Sequence, residues 1–211
     1  MPPFQRIHLV RHGETVGAET GYAGDPALTR IGEQQSALTT DHLTTLGVSS
    51  VYVSPLLRAR QTAAPMPSGL GTTPMTLPEM AEISLGDYPG DQIVGRERPK
   101  IDFEAWGGDS GHDFNMRVIS GFQMMIESIR RETHQSIALI THGGTINVIL
   151  DYVAGIQFDG EMRHLLANCS VSTLEFGASS GSPTTVNVVT HLPSELITPP
   201  GEQSLSTPLS R

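Results

Sequence analysis

Two short apolar runs, each halted by a histidine–glycine pair, narrow the choice of fold further than anything else in the chain. The first is Arg6-Ile7-His8-Leu9-Val10, bounded by Arg11-His12-Gly13. The second is Ser136-Ile137-Ala138-Leu139-Ile140-Thr141, bounded by His142-Gly143-Gly144. Continuous apolar runs of this length read as buried strands that end in loops. Ser50-Val51-Tyr52-Val53 is a third such run, and residues 169–176 and 184–190 read as late strands with a turn at 177–183. Helical patterns lie between them. Thr29 is a plausible cap for a helix over 29–46 with Gly47 as its stop, and Ser54-Pro55 is expected to open a helix from about Leu56 to Ala64. Residues 110–132 carry apolar positions at helical spacing, with Ser110 suited to cap them, and a helix is expected from Thr145 to about Ala154. Strands alternating with helices predict an α/β three-layer sandwich with a mainly parallel central sheet. In such sheets ligands bind beyond the carboxyl ends of the strands. If the two His-Gly strands are neighbours, both imidazoles meet at one crevice.

Residues 65–78 read as a loop with a short strand at 73–77, and 84–108 are irregular and rich in Gly, Asp and Pro. A long excursion inside a compact domain is usually functional. The expected organisation is one domain over residues 1–192, with 65–116 as an excursion over the active site, and a loosely attached tail over 193–211.

Composition excludes several classes. The formal net charge is -9, and of the 13 basic residues all but Lys100 are arginine. That balance argues against binding nucleic acid or an anionic membrane. On charge alone it also speaks against an anionic substrate. The single Cys169 excludes a disulfide scaffold. No apolar run reaches membrane-spanning length, and the expected location is the cytoplasm.

Five segments in order carry a resemblance. They are Leu9-Val10-Arg11-His12-Gly13-Glu14-Thr15, then Ala27 to Gln35, then Ser54 to Ala63 around Arg58, then Glu82 with Gly86 and Gly90, and finally Thr141-His142-Gly143-Gly144. Together they resemble the histidine phosphatase superfamily, which includes the phosphoglycerate mutases. The resemblance implies a phosphoglycerate mutase-like fold and assigns roles. His12 is the nucleophile, Glu82 the proton donor and then base, and His142, Arg11 and Arg58 complete the catalytic set. No cofactor and no metal are implied.

The chemistry of these residues agrees with those roles. A phosphate monoester needs a fixed positive clamp on its transferring oxygens, and Arg11 and Arg58 offer planar, permanently charged forks. To attack phosphorus, His12 must be neutral at the attacking nitrogen. Two nearby guanidinium groups favour that form. Glu82 must hold a proton when the ester bond breaks and give it to the leaving oxygen, and Glu79 is its rival. His142 is expected to donate a further hydrogen bond, and Gly13 and Gly143 to let backbone approach an oxyanion. His8 and His12 are spaced as zinc ligands on a helix, but the first lies in a strand pattern.

Many family members carry Trp-Asn where this chain has Gly17-Ala18. Thr15, Gly24 and backbone N–H groups are the candidate replacements. Arg96, with Arg98 and Lys100, is a candidate contact for a distal anionic group, and Tyr22, Tyr88, Phe103 and Trp106 are candidate apolar walls. Gly107-Gly108-Asp109-Ser110 looks like the Gly-Gly-Glu-Ser segment of phosphatase-type members. The expected activity is phosphomonoester hydrolysis through a phosphohistidine on a small phosphorylated metabolite. The alternatives are a mutase-type phosphotransferase and a retired phospholigand-binding domain. An exposed strand edge or helix face could support a homodimer.

Overall fold

The computed structural model describes residues 5–16, 24–88, 103–129, 136–176 and 181–198. Tyr22, Arg96, Arg98, Lys100, Gly17, Ala18 and Gly90 lie outside the described residues. The strands are β1 (Gln5–Arg11), β2 (Ser50–Val53), β3 (Met75–Thr76), β4 (Ser136–Thr141), β5 (Val171–Phe176) and β6 (Gly181–Val188). The helices are α1 (Arg30–Thr45), α2 (Leu57–Ala63), α3 (Met66–Leu70), α4 (Gly111–Ile129) and α5 (Gly143–Val153).

One sheet runs β3-β2-β4-β1-β5-β6. β3, β2, β4 and β1 are mutually parallel, and β5 and β6 are added antiparallel. The two His-Gly strands are neighbours: β1 pairs with β4 in parallel, with Arg11 opposite Thr141. The period of two then divides the apolar residues between two faces. Ile7, Leu9, Ile137 and Leu139 pack with Phe114, Val118 and Phe122 of α4 and Ile146 and Ile149 of α5. Val10, Ala138 and Ile140 pack on the other face with Leu43 of α1, Ala59 and Ala63 of α2 and Met66 of α3. This is a three-layer α/β sandwich, and helices cover both faces of the central strands, whose buried positions are mostly apolar.

Local chemistry explains the boundaries. Thr29 caps α1 by accepting the Gly32 N–H, and the Ser110 hydroxyl accepts the Asp113 N–H at the start of α4. Three expectations change. Ser54 and Pro55 precede α2 instead of opening it; Leu56 is the capping residue, and the Ser54 hydroxyl accepts the Leu56 N–H from outside the helix. The loop expected from Pro65 contains α3, because Met66 is fully buried in the core and Pro67 falls in the first turn, where a missing N–H is tolerated. The turn expected through Pro183 is already strand: Pro183 sits opposite Leu174 in β6, an edge strand that can accept a proline.

The tail is also corrected where it is described. Residues 193–198 are docked. The Gln35 side-chain amide donates to the Leu196 carbonyl at 2.7 Å and to the Thr198 hydroxyl at 3.1 Å. The Thr198 hydroxyl donates in turn to one carboxylate oxygen of Glu14 at 2.7 Å, and Thr29 donates to the other at 2.8 Å. Glu14 is buried, so these donors replace the water it has lost. None of the described helices is long and apolar enough to cross a membrane.

His8 lies within β1 and bridges it to both neighbours. Its ring nitrogens meet the hydroxyls of Thr173 on β5 and Ser136 on β4, each at 3.0 Å. Burial first, then the charges of His42 and Arg6, lower His8 from 6.5 to about 4. Burial, then His42, lowers His191 from 6.5 to about 4. Both rings are therefore held neutral in the fold, while the unfolded chain takes up their protons near pH 6.5. Their contribution is complete above pH 6.5 and is lost as the pH falls from there toward 4. The melting temperature should drop over that window. His8→Gln should flatten the slope, since His8 alone accounts for on the order of 3 kcal/mol. A melting temperature constant from pH 7 to 4.5 would contradict this. Thr198→Val should cost about 1–3 kcal/mol in denaturant unfolding, because it leaves a buried carboxylate oxygen without its donor.

Candidate active site

The parallel pairing of β1 and β4 delivers four of the five predicted catalytic side chains to one place. The His12 N–H donates to the Thr141 carbonyl at 2.9 Å, which carries the strand pairing one residue beyond β1. The rings of His12 and His142 follow, with centroids 5.2 Å apart. Arg58 joins from the first turn of α2 and Arg11 from the last residue of β1. All four side chains are buried.

The hydrogen bonds fix the state of both rings. His12 Nδ1 lies 2.8 Å from the Gly13 carbonyl. A carbonyl can only accept, so Nδ1 holds the proton and Nε2 presents a lone pair. Burial, then the charges of Arg11 and Arg58, hold His12 well below 6.5, against a small opposing effect of the Gly13 bond. The neutral ring, protonated on Nδ1, is thus the resting form at neutral pH.

His142 differs from the expectation. Arg58 Nε donates to its Nδ1 at 3.2 Å, so its proton sits on Nε2, which donates to the Ser54 hydroxyl at 2.7 Å. Its one N–H is committed to Ser54 rather than aimed at a phosphate. Burial, then Arg58 and His12, hold it well below 6.5. In this arrangement His142 orients the Arg58 fork, and Arg58 Nη1 reaches the Asp25 carboxylate at 3.4 Å. Asp25 also accepts the Leu57 N–H at 2.6 Å. Sequence reasoning missed Asp25, which sits two residues before Ala27 in a stretch without periodicity.

Glu82 comes from the excursion after β3 and meets the N-terminus of α5. One carboxylate oxygen accepts the Gly144 N–H at 2.8 Å, and the other accepts the Ile83 N–H at 3.1 Å. Its rival Glu79 turns away: its Cβ would be met at 2.3 Å by a side chain at Gly121 of α4.

The candidate binding residues divide. Gly143 is the first residue of α5, and a Cβ there would stand 3.8 Å from Arg11 Nε, so its backbone lines the Arg11 fork. The Thr15 hydroxyl is buried and has no hydrogen-bond partner among the described residues, which suits a donor for a bound oxyanion. Gly13 is corrected. Its N–H is taken by the Thr62 hydroxyl at 2.9 Å, and a Cβ would meet the Gly32 carbonyl at 2.8 Å. Its smallness serves the crossing of the loop after β1 over α1 and not an oxyanion. Gly24 has a left-handed backbone, with φ of +84°, and no described neighbour within 4 Å of where a Cβ would stand. Its role is a bend that precedes Asp25. Of the candidate apolar walls, Tyr88 packs edge-on against Phe103 and Trp106, at 5.6 and 5.0 Å.

The fit at Gly144 has a consequence. A Cβ there would lie 2.3 Å from Glu82 Oε1. Gly144→Ala should displace the carboxyl and lower turnover of alkyl phosphates by about 10- to 100-fold, part of the contribution of a general acid. The melting temperature should change little. Unaltered turnover would show that Glu82 does not work from this position.

Three comparisons place these features among known proteins. The family model of the histidine phosphatase superfamily (branch 1) matches residues 7–189. A probable phosphoglycerate mutase of Enterobacter sp. (strain 638) is 27% identical over 188 residues, covering 82% of this chain and 86% of that protein. A protein of Hydrogenobacter thermophilus, provisionally named phosphoserine phosphatase 2, is 25% identical over 202 residues, covering 89% of this chain and 98% of that one. Among solved structures, the alpha-ribazole phosphatase of Shigella flexneri superposes with a TM-score of 0.72 at 22% identity, covering 87% of this chain and 96% of that one. The match over β1 to β6 includes every element that builds the site, and the chain belongs to the histidine phosphatase superfamily, branch 1.

Proposed function

We propose that this protein is a phosphomonoester hydrolase that works through a phosphohistidine on a small phosphorylated metabolite. One observation carries the reading. Burial, then the charges of Arg11 and Arg58, keep His12 neutral, and the Gly13 carbonyl holds the ring proton on Nδ1, so that Nε2 carries the lone pair. In the first step Nε2 bonds to phosphorus, the ester P–O bond breaks, and Glu82 passes its proton to the leaving oxygen. In the second, the Glu82 carboxylate takes a proton from water, whose oxygen displaces Nε2 and releases inorganic phosphate. Arg11 and Arg58 hold the transferring oxygens, and the buried Thr15 hydroxyl supplies a further donor. These groups provide nucleophile, clamp and acid, so the reading requires neither a metal nor a cofactor.

Support for hydrolysis over transfer comes from the Gly-Gly-Asp-Ser segment, while the relatives carry both phosphatase and mutase names. The substrate class stays coarse: a monoester small enough to reach the buried histidines. A net charge of -9 disfavours a polyanion lying along the surface.

The test is phosphate release from para-nitrophenyl phosphate and from alkyl phosphates in the presence of a chelator. Wild-type protein should turn over, and quenching in alkali instead of acid should preserve a labelled phosphohistidine, whose P–N bond is labile in acid. His12→Ala should lower turnover by at least about 1000-fold and abolish the labelled intermediate. Turnover that survives in His12→Ala overturns the nucleophile assignment. Interconversion of 2- and 3-phosphoglycerate without net phosphate release would move the protein to the mutase reading.

A further inference from the structure

We propose that Arg117 of α4, paired with Asp109, positions the proton donor Glu82. The inference rests on the phosphatase reading above for the role of Glu82. The geometry on which it stands is independent of that reading.

Glu82 lies in a stretch without regular structure between the short turn at Pro78–Met80 and Tyr88. A carboxyl on such a segment needs outside support to hold one position. The structure supplies it from two sides. On the sheet side, the Thr141 hydroxyl donates to the Met80 carbonyl at 2.8 Å and the Thr145 hydroxyl to the Ala81 carbonyl at 3.3 Å. On the other side stands Arg117. Its Nη1 donates to the carbonyls of Glu79 and Ala81, both at 2.9 Å, and its Nη2 donates to the Glu82 carbonyl at 3.4 Å. The carbonyls of four successive residues, 79 to 82, are thereby all engaged.

Asp109 locks the fork. It accepts from Arg117 Nη2 at 2.9 Å and, through the same oxygen, from the Ser84 N–H at 3.0 Å. The Asp109 N–H returns a bond to the Ser84 carbonyl at 2.9 Å. Arg117 therefore grips the chain before and at Glu82, while Asp109 grips it two residues later. The Phe114 ring, 5.3 Å from the guanidinium carbon, packs against the fork. A lysine has one point of charge in place of five N–H donors in a plane, and it cannot reach three carbonyls and a carboxylate together. Arg117 touches neither His12 nor the place of the phosphate among the described contacts, so it is a positioning residue.

A purely structural arginine and a positioning one differ in which substrates suffer. Para-nitrophenolate leaves with little help from an acid, whereas an alkoxide needs a proton. With kcat and KM measured separately, Arg117→Lys should lower kcat on an alkyl phosphate such as glycerol phosphate by about 10- to 100-fold. It should lower kcat on para-nitrophenyl phosphate by less than about 3-fold, with KM little changed on both. Added to Glu82→Gln, it should cost less than about 3-fold more, since both changes remove one function. Equal losses on the two ester classes, or a fully multiplicative double variant, would overturn the proposal. Asp109→Asn keeps the fork and weakens its lock, and should show the same selectivity at about 3- to 10-fold; it serves if Arg117→Lys fails to fold. A readout free of turnover is the amide resonance of Gly144, whose proton is held by Glu82 Oε2. Glu82→Gln and Arg117→Lys should move it alike. A Gly144 amide unmoved by Arg117→Lys would sink the proposal even in a protein without phosphatase activity, whereas an inactive wild type with a moved amide would sink only the phosphatase reading.

Discussion

The parallel bonding of β1 to β4 is the interaction from which the site follows. It places Arg11 level with Thr141 and continues through the His12 N–H to the Thr141 carbonyl. Because register in a sheet moves side chains in steps of two residues, a slip of one would send both histidines to opposite faces. The apolar division prevents that slip. Ile137 and Leu139 belong to one core, and Ala138 and Ile140 to the other. The same packing that stabilises the sandwich therefore sets the 5.2 Å between the rings. α5 begins at Gly143 directly after that point, and the Gly144 N–H in its first turn is where Glu82 docks.

The electrostatics is local and runs against the molecule as a whole. A chain with a net charge of -9 buries two guanidinium groups beside two imidazoles. Burying four positive groups together would be prohibitive, and the site avoids it by keeping both rings neutral. Each ring is then fixed in one tautomer by a partner that can only donate or only accept: the Gly13 carbonyl for His12 and Arg58 Nε for His142. The Asp25 carboxylate reaches Arg58 from the more exposed side.

What was legible in the sequence shares a physical character. The strands around His12 and His142, the Thr29 cap and the Ser110 cap rest on hydrophobic period or on contacts within a few residues. These are the interactions that spacing can report. Contacts between distant segments were not legible. Nothing in the spacing around Arg117 marks it, since the carbonyls it holds lie 35 to 38 residues back in the chain. Gly13 was read as making room for a ligand, whereas it makes room for Gly32 on α1. Residues 193–198 have the composition of a tail, and only the position of Glu14 and Gln35 shows why they are docked.

That docking has a temporal side. Glu14 follows His12 by two residues, and its buried carboxylate depends on a hydroxyl 184 positions later. During synthesis, β1 can find β4 once residue 141 is out of the ribosome, yet the loop that carries His12 and Glu14 still lacks its last donor. It gains that donor only when Thr198 has emerged, and a contact of such long sequence separation closes late and slowly. A chain released after β6 but short of Thr198 would leave one carboxylate oxygen of the buried Glu14, two residues beyond His12, without its donor, while Thr29 still holds the other.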